Sequence, residues 1–257
     1  MEKDYEKITA TDYDGRILEK SYETHKKEYY DEQVQFNKLK RTLKHAGVQG
    51  KKVLELGCSM GFFSFALARE GANVTAVDYS AQSLEIAKQF LKEKKNKDLA
   101  LSFHQMDARN LTFAPESFDV LVNYDFIEHI YPGDHKQVVK EMFRVLKKDG
   151  IAAIYTPNYN RVRMEYYIQK IKKGLEGKKW GWQESESGED HQDTKLHVGL
   201  LSLNQLIYLF EKNGFTVFSC DNEEYSFPGI HMLNKIKIFP NIFTANSFIF
   251  VRKIGNV

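Results

Sequence analysis

The chain has 257 residues, of which 42% are hydrophobic, so it can form a sizeable core without disulfides or a structural metal. Its 37 Lys and Arg residues nearly balance 35 Asp and Glu residues, which argues against a general nucleic-acid binder, and its two cysteines exclude a disulfide framework. The N-terminal stretch has no apolar signal core, and no apolar run approaches the roughly 20 residues of a membrane span. We therefore expect a soluble cytoplasmic protein without a transmembrane segment.

Residues 1–48 are predicted to form a helical prelude to the main domain. Leu39 and Leu43 have helical spacing, and Gly47 follows them as a C-terminal cap. Because this helix precedes the alternating pattern described next, we interpret 1–48 as an N-terminal helical lid and 49–257 as the main domain.

Short β-rich runs then alternate with helical segments. The predicted strands of this region are 53–56, 72–78, 99–107, 118–125 and 151–157, and the predicted helices between them are 62–71, 81–95 and 135–150. This alternation is typical of a parallel sheet with helices on both faces.

The last part of the chain has a different pattern. A Ser202/Gln205 capping box opens a helix, and two strands follow at 215–221 and 247–253 without an obvious helix between them, which indicates an antiparallel pair. The sequence thus predicts an α/β, Rossmann-like, doubly wound fold whose seven-stranded, mostly parallel sheet ends in this antiparallel pair. Residues 158–201 interrupt the alternation, and we interpret them as a substrate-side insertion.

A glycine-containing turn follows the first predicted strand. Gly57 and Gly61 allow a ligand to approach the backbone, and the next helix presents free N–H groups at its start. The spacing GCSMG fits poorly to the G-x-G-x-x-G pattern of dinucleotide folds. Glu55, just before the turn, would repel a phosphate but could attract an ammonium group.

Carboxylates end the next two predicted strands. Asp78 lies about 20 residues after Gly57, where a carboxylate can accept hydrogen bonds from both ribose hydroxyls. It could instead cap the next helix, although Ser80 is better placed for that role. Asp107 could accept from an adenine amine or could be a plain turn residue. Sites for an amino acid, a ribose and an adenine, with no phosphate, together indicate S-adenosylmethionine.

The ordered set of motifs now resembles the class I S-adenosylmethionine-dependent methyltransferases. The segments that carry the resemblance are VLELGCSMG, VTAVDYS, HQMDARNL, FDVLVNYDFIEHI and LKKDGIAAIYTPN. It covers roughly residues 50–160, and the later helix and strands over 200–252 also fit. Ser59 stands where many members of the family have glycine.

The resemblance implies a cofactor site with assigned roles. These are Glu55 at the methionine ammonium, Asp78 at the ribose, Asp107 and Ala108 flanking the adenine, and Asn123 near the sulfonium. The full set of implied cofactor-binding residues is Glu55, Gly57, Ser59, Gly61, Asp78, Tyr79, Asp107, Ala108 and Asn123.

A second group of chemically active residues follows the fourth predicted strand. Asp125, Glu128 and His129 would share one face of a helical turn, beyond the carboxyl end of the strand and beside the methyl group. Two carboxylates and an imidazole could bind a divalent metal such as Mg²⁺ or Mn²⁺. Alternatively, His129 could be the catalytic base with the two acids orienting it, or the group could be structural.

Two subgroups of the family have a similar pattern with glutamate in the first position. They are the ubiquinone-biosynthesis O-methyltransferases and the small-RNA terminal 2′-O-methyltransferases, and the second adds a late histidine that His197 matches. The resemblance therefore implies a candidate metal site of Asp125, Glu128, His129 and His197, in which Asp125 is one methylene shorter than the usual glutamate.

The acceptor is less well defined by the sequence. Aromatic residues among the lysines of the insertion, including Trp180 and Trp182, could stack a nucleobase or close over a ring or sugar. The apolar and basic segment HMLNKIKIFPNIF permits a lipid-linked acceptor. We predict O-methylation of a small-molecule or lipid-linked acceptor. The alternatives are RNA 2′-O-methylation, an NAD-dependent oxidoreductase and a non-catalytic S-adenosylmethionine-binding protein.

Overall fold

The structure is a computed structural model that describes residues 33–93, 96–175, 197–220 and 246–254. Three predicted features lie outside the described residues, namely most of the lid (1–32), the middle of the insertion with both tryptophans (176–196) and the loop 221–245. Among the helices that are described, none is both long enough and apolar enough to cross a membrane.

A seven-stranded sheet forms the centre of the molecule. Its strands are β1 (Lys52–Leu56), β2 (Asn73–Asp78), β3 (Leu101–Gln105), β4 (Phe118–Tyr124), β5 (Leu146–Pro157), β6 (Phe215–Cys220) and β7 (Asn246–Lys253). The spatial order is β3-β2-β1-β4-β5-β7-β6. The pairs among β1 to β5 are parallel, whereas β7 is antiparallel to both β5 and β6. The predicted Rossmann-like sheet with a terminal antiparallel pair is confirmed.

The described residues form six α-helices, and those that pack against the sheet cover both of its faces. They are α1 (Gln33–His45), α2 (Phe62–Arg69), α3 (Ala81–Lys92), α4 (His135–Val145), α5 (Tyr159–Leu175) and α6 (Leu203–Glu211). The predicted caps of two of them are confirmed. The Ser80 hydroxyl accepts from the Ser83 N–H at 3.0 Å at the start of α3, and Ser202 and Gln205 form the capping box of α6.

Successive strand residues alternate between two cores, one on each face of the sheet. Val53 of β1 belongs to the same buried cluster as Phe65 of α2, whereas its neighbour Leu54 belongs to the opposite cluster with Met142 of α4. Each fully buried side chain of this size contributes roughly 1.5–3 kcal/mol. The continuous run of apolar residues in β1 therefore follows from burial on both faces.

The boundary between α4 and β5 differs from the prediction. The basic stretch KKDG was expected to form the last turn of the helix, but α4 ends at Val145 and β5 begins at Leu146. Leu146 is fully buried and pairs with Phe118 on β4, so its burial in the sheet outweighs the helical pattern. Asp149 then adopts a left-handed φ of 61° before parallel pairing resumes at Ile151.

Candidate active site

The carboxyl ends of β1 and β4 lie side by side at the point where the strand order reverses. The chain runs outward from β1 through β2 to β3 and then returns to β4 on the other side of β1. In open α/β sheets ligands bind in the crevice beyond such a switch point. Glu55, Asp78 and Asn123 lie at or near the ends of the strands that border it.

The turn between β1 and α2 needs residues that tolerate a left-handed backbone. Gly57 and Gly61 have φ values of 73° and 77°, and a Cβ on Gly57 would overlap the ring of Phe126. Ser59 also has a positive φ, 48°, which explains why glycine suits this position. Its N–H donates to Asp78 at 2.7 Å, and this hydrogen bond compensates for part of the strain.

Asp78 connects the glycine turn to the next loop. One carboxylate oxygen accepts from the Ser59 N–H at 2.7 Å and the other from the Ser80 N–H at 2.8 Å. Since Ser80 itself caps α3, Asp78 does not supply that cap. A carboxylate oxygen can accept more than one hydrogen bond, so this arrangement is compatible with additional bonds from ribose hydroxyls. Tyr79, which follows, has 44% of its surface exposed.

Glu55 is a buried acid on the face of β1 that packs against α2. Only 3% of its surface is exposed, and its carboxyl group accepts a hydrogen bond from the Ser64 hydroxyl. Burial raises the pKa of Glu55 from 4.5 to about 8, and the nearby negative charge of Asp78 adds to the rise. A cationic ligand would stabilise the ionised form, so the site is electrostatically suited to an ammonium group.

Asp107 forms an ion pair that the sequence analysis did not predict. Its two oxygens accept from Arg109 at 2.6–3.0 Å, and Arg109 also donates to Asp134 at 2.9 Å. Partial burial raises the pKa of Asp107, but the hydrogen bonds from Arg109 outweigh it and hold the pKa below its usual value. The Asp107 carboxylate therefore faces Arg109. An adenine amine could bond only to an oxygen that already accepts a hydrogen bond from Arg109. Ala108, beside it, is buried.

Asn123 is fully buried at the end of β4. In the described part of the chain neither its amide nitrogen nor its amide oxygen has a hydrogen-bond partner, and the same holds for Glu128 Oε1 and the Ser247 hydroxyl. Leaving such a group unpaired costs about 1–3 kcal/mol. Nearby, Thr156 donates to Glu128 Oε2 at 2.9 Å and pairs with Ser247 across β5 and β7.

A short 3₁₀ turn (Ile127–His129) follows β4 and presents the second group of predicted residues. Glu128, His129 and His197 each offer a ligand atom, and these atoms lie within 4.8 Å of one another. The two imidazole rings are 4.9 Å apart between centroids. The Gly199 N–H donates to the Glu128 carbonyl at 2.8 Å. This hydrogen bond brings residues 197–199 against the 3₁₀ turn. Burial, followed by the charge of Asp125, raises the pKa of Glu128.

Asp125 lies outside this cluster, in contrast to the predicted common face. Its φ of 49° is left-handed, and its N–H donates to the Tyr155 carbonyl at 2.9 Å. The chain therefore changes direction before the 3₁₀ turn, and the Asp125 carboxylate forms an ion pair with Lys38 instead. Asp is among the residues that tolerate this backbone conformation best, which gives a local reason for Asp at this position.

Helix α1 contributes Lys38, a residue that was not among those predicted from the sequence. Lys38 is buried and lies with its ammonium group 4.3 Å from the ring centroid of Tyr155. One turn later, the Thr42 and Tyr124 hydroxyls form a hydrogen bond. These contacts attach α1 to the end of β4. No local sequence signal identifies Lys38, because its partner lies 87 residues further along the chain.

Comparison with known proteins adds an independent observation. A sequence profile described as a methyltransferase domain matches residues 54–154. The ubiquinone biosynthesis O-methyltransferase of Stutzerimonas stutzeri is 30% identical over 162 residues, which cover 60% of this chain and 68% of that protein. The enzyme of the same name from Pseudomonas aeruginosa is 30% identical over 161 residues, covering 60% and 67%.

A solved structure agrees at the level of the fold. The S-adenosylmethionine-dependent methyltransferase from Methanosarcina mazei superimposes with a TM-score of 0.59 at 19% identity. The superposition covers 80% of this chain and 93% of that one. At this identity the likeness concerns the architecture alone.

Proposed function

The chain belongs to the class I S-adenosylmethionine-dependent methyltransferases, and we propose that it methylates an oxygen atom of a small or lipid-linked acceptor. Family membership removes the NAD-dependent oxidoreductase from consideration. The observation that carries the choice of oxygen is the cluster of Glu128, His129 and His197 at the end of β4. A neutral hydroxyl is a weak nucleophile, and an adjacent imidazole can accept its proton. The relatives named above as O-methyltransferases support the same choice.

The cofactor half of the proposed site consists of the glycine turn and its acids. S-adenosylmethionine supplies a methyl group on a positively charged sulfur. We assign Glu55 to its ammonium group, because a buried carboxyl with a raised pKa gains most from a cationic partner. Asp78 is assigned to the ribose hydroxyls, and Gly57 and Gly61 to close backbone approach. Asn123, buried without a partner among the described residues, is assigned to the region near the sulfur.

In the acceptor half, His129 takes the proton. A ring nitrogen of His129 would accept the hydrogen of the acceptor hydroxyl while the oxygen bonds to the methyl carbon. The methyl–sulfur bond would break at the same time and leave its electron pair on sulfur, and the proton would later leave His129 to solvent. Glu128 lies beside the ring, and Thr156 fixes one of its oxygens at 2.9 Å. His135 donates from its ring to the Ile127 carbonyl at 3.1 Å, which holds the turn that carries both residues.

A divalent metal at the same cluster is the second candidate. One carboxylate and two imidazoles within 4.8 Å form a donor set that suits a cation, and Glu128 Oε1 has no hydrogen-bond partner among the described residues. Glu128, His129 and His197 would hold the ion, which would lower the pKa of a bound acceptor hydroxyl. Two imidazoles favour Mn²⁺ over Mg²⁺, and Asp125 is engaged by Lys38.

The test of the proposed reaction is methyl transfer from isotopically labelled S-adenosylmethionine to a panel of phenols, sugars, lipid-linked hydroxyl compounds and short RNAs. Asp78→Ala is the matched control for cofactor dependence. We expect label in a hydroxyl compound and an oxygen–methyl bond in the product. Label found only on nitrogen or carbon would contradict the choice of oxygen. Label found in RNA would indicate terminal-ribose methylation instead.

The two versions of the acceptor half are distinguished by chelation. Activity that survives thorough removal of metal but is lost in His129→Ala indicates the metal-free base. Activity that is lost on chelation and restored by Mn²⁺, together with metal content that falls in His197→Ala, indicates the metal.

A further inference from the structure

Lys38 is a buried cation that α1 inserts at the end of β4. Only 7% of its surface is exposed, and its ammonium group forms an ion pair with the Asp125 carboxylate and lies over the face of Tyr155. A buried ammonium is unfavourable unless it is paired, so its position depends on these partners. The Thr42–Tyr124 hydroxyl contact one turn later holds the same helix to the same strand end.

The field of Lys38 reaches both halves of the site. Burial raises the pKa of Glu55 at the end of β1, and the positive charge of Lys38 opposes that rise. Asp125, its direct partner, has a side chain that is 47% exposed. One ammonium group thus pairs with the Asp125 carboxylate just beyond β4 and favours the ionised form of Glu55 on β1. The reacting atoms are assigned between the ends of these two strands.

We propose that Lys38 is a specificity-determining residue that sets the preference of the pocket between S-adenosylmethionine and its product, S-adenosylhomocysteine. The inference rests on the proposed position of the sulfonium beside the end of β4. The two compounds differ by a methyl group and by one positive charge on sulfur, because the electron pair of the broken carbon–sulfur bond stays on sulfur.

The direction of the effect follows from the charges. An unpaired Asp125 carboxylate would attract the sulfonium and bind the charged compound more tightly than the neutral one. Lys38 neutralises that carboxylate, so it reduces the preference. The pair therefore keeps the pocket from holding the charged compound too firmly before transfer, while the neutral product is affected little.

The experiment measures the dissociation constants of S-adenosylmethionine and S-adenosylhomocysteine for the full-length protein by calorimetry at low ionic strength. In Lys38→Met the ratio of the dissociation constant of S-adenosylhomocysteine to that of S-adenosylmethionine should rise, by up to about tenfold, because the Asp125 carboxylate is no longer neutralised. In Asp125→Asn it should fall, since Lys38 is then unpaired. The double variant should return toward the wild-type ratio.

The control is Lys147→Met. Lys147 pairs with Asp119 at 2.6 Å, and this pair lies at the amino-terminal end of the parallel strands, away from the proposed site. The ratio of the two dissociation constants in Lys147→Met should equal the wild-type ratio. Loss of packing alone changes both affinities equally and leaves the ratio constant.

A folded Lys38→Met with an unchanged ratio would overturn the inference. If that variant does not fold, an unchanged ratio in Asp125→Asn overturns it equally. A wild-type protein that binds neither compound would instead overturn the cofactor assignment itself, and the inference with it.

Discussion

The two halves of the site treat charge in different ways. On the cofactor side, Glu55 is buried with one hydroxyl donor and a raised pKa, and Asp78 is held by two backbone N–H groups. On the acceptor side, Asp125 is already paired with Lys38, and Glu128 lies against two imidazoles. The first half is arranged to receive a cation, and the second is arranged to accept a proton.

This difference separates binding from chemistry. Changes on the cofactor side should alter affinity for S-adenosylmethionine, whereas changes in the Glu128–His129–His197 cluster should alter turnover and leave that affinity constant. A substitution that changes both quantities would weaken the division.

The largest effect is expected for His129→Ala. Removing the proton acceptor should lower the turnover number by about 10²–10⁴-fold, with unchanged affinity for S-adenosylmethionine. The measurement is steady-state kinetics with an acceptor from the panel, together with calorimetric binding of the cofactor. His197→Ala is the matched variant, since its ring is 4.9 Å away. A much smaller loss there indicates the base, equal losses indicate the metal, and full activity in both removes the cluster from the mechanism.

The next largest effect concerns the buried acid of the cofactor side. One pKa unit corresponds to about 1.4 kcal/mol, so the rise in the pKa of Glu55 from 4.5 to about 8 corresponds to a cost of about 5 kcal/mol once the group is ionised. The direction in which stability changes with pH follows from the protons bound by the folded and unfolded states. Between these two pH values the unfolded chain has lost the proton and the folded chain retains it, so stability falls as pH rises.

Glu55→Gln removes this pH dependence. We expect the variant and the wild type to have similar free energies of unfolding near pH 4.5. Near pH 8 the free energy of unfolding of the variant should be higher by several kcal/mol, and any loss of packing around Gln would make this difference smaller. Urea unfolding at several pH values measures the free energy of unfolding of both proteins. The titration of all other groups is common to both and cancels when the two values are subtracted. Parallel pH profiles in the two proteins would show that Glu55 ionises freely in the folded state.

How much of the molecule could be predicted depended on the range of the interactions. The glycine turn, the Ser80 cap and the Ser202/Gln205 box are local patterns, and the sequence identified all of them. Lys38 was missed because an amphipathic helix gives no sign of which lysine meets a carboxylate 87 residues away.

The acceptor side shows an intermediate case. The residue types of the 125–129 segment were recognised, but their geometry was not, because a left-handed φ at Asp125 separates this residue from the 3₁₀ turn. At the start of β5 a tertiary contact also overrode the local pattern, because burial of Leu146 in the sheet decided between helix and strand. Sequence thus identified the residue types of the segment, and tertiary contacts determined its direction.

A smaller effect is expected for Asp78→Ala. The loss of hydrogen bonds to a charged group should weaken S-adenosylmethionine binding by about 1–3 kcal/mol. Because Asp78 also accepts from the Ser59 and Ser80 N–H groups, part of the loss reflects a looser glycine turn. Asp78→Asn retains one acceptor oxygen and should lose less. Calorimetric titration measures both, and an affinity equal to wild type in folded Asp78→Ala would contradict the ribose assignment.

The smallest effect is expected at the adenine side, for Arg109→Gln. Arg109 joins Asp107 to Asp134, but its side chain is 39% exposed, and exposed ion pairs typically contribute less than about 1 kcal/mol. Two consequences oppose each other. The loop loses a support, while the Asp107 carboxylate no longer shares its oxygens with a guanidinium and can accept more fully from an adenine amine. If Asp107 contacts adenine, the affinity of Arg109→Gln for S-adenosylmethionine should stay within about threefold of the wild-type value. Asp107→Asn should then have a lower affinity than Arg109→Gln. If Asp107 serves only to hold Arg109, the two substitutions should lower affinity equally, because each removes the same ion pair.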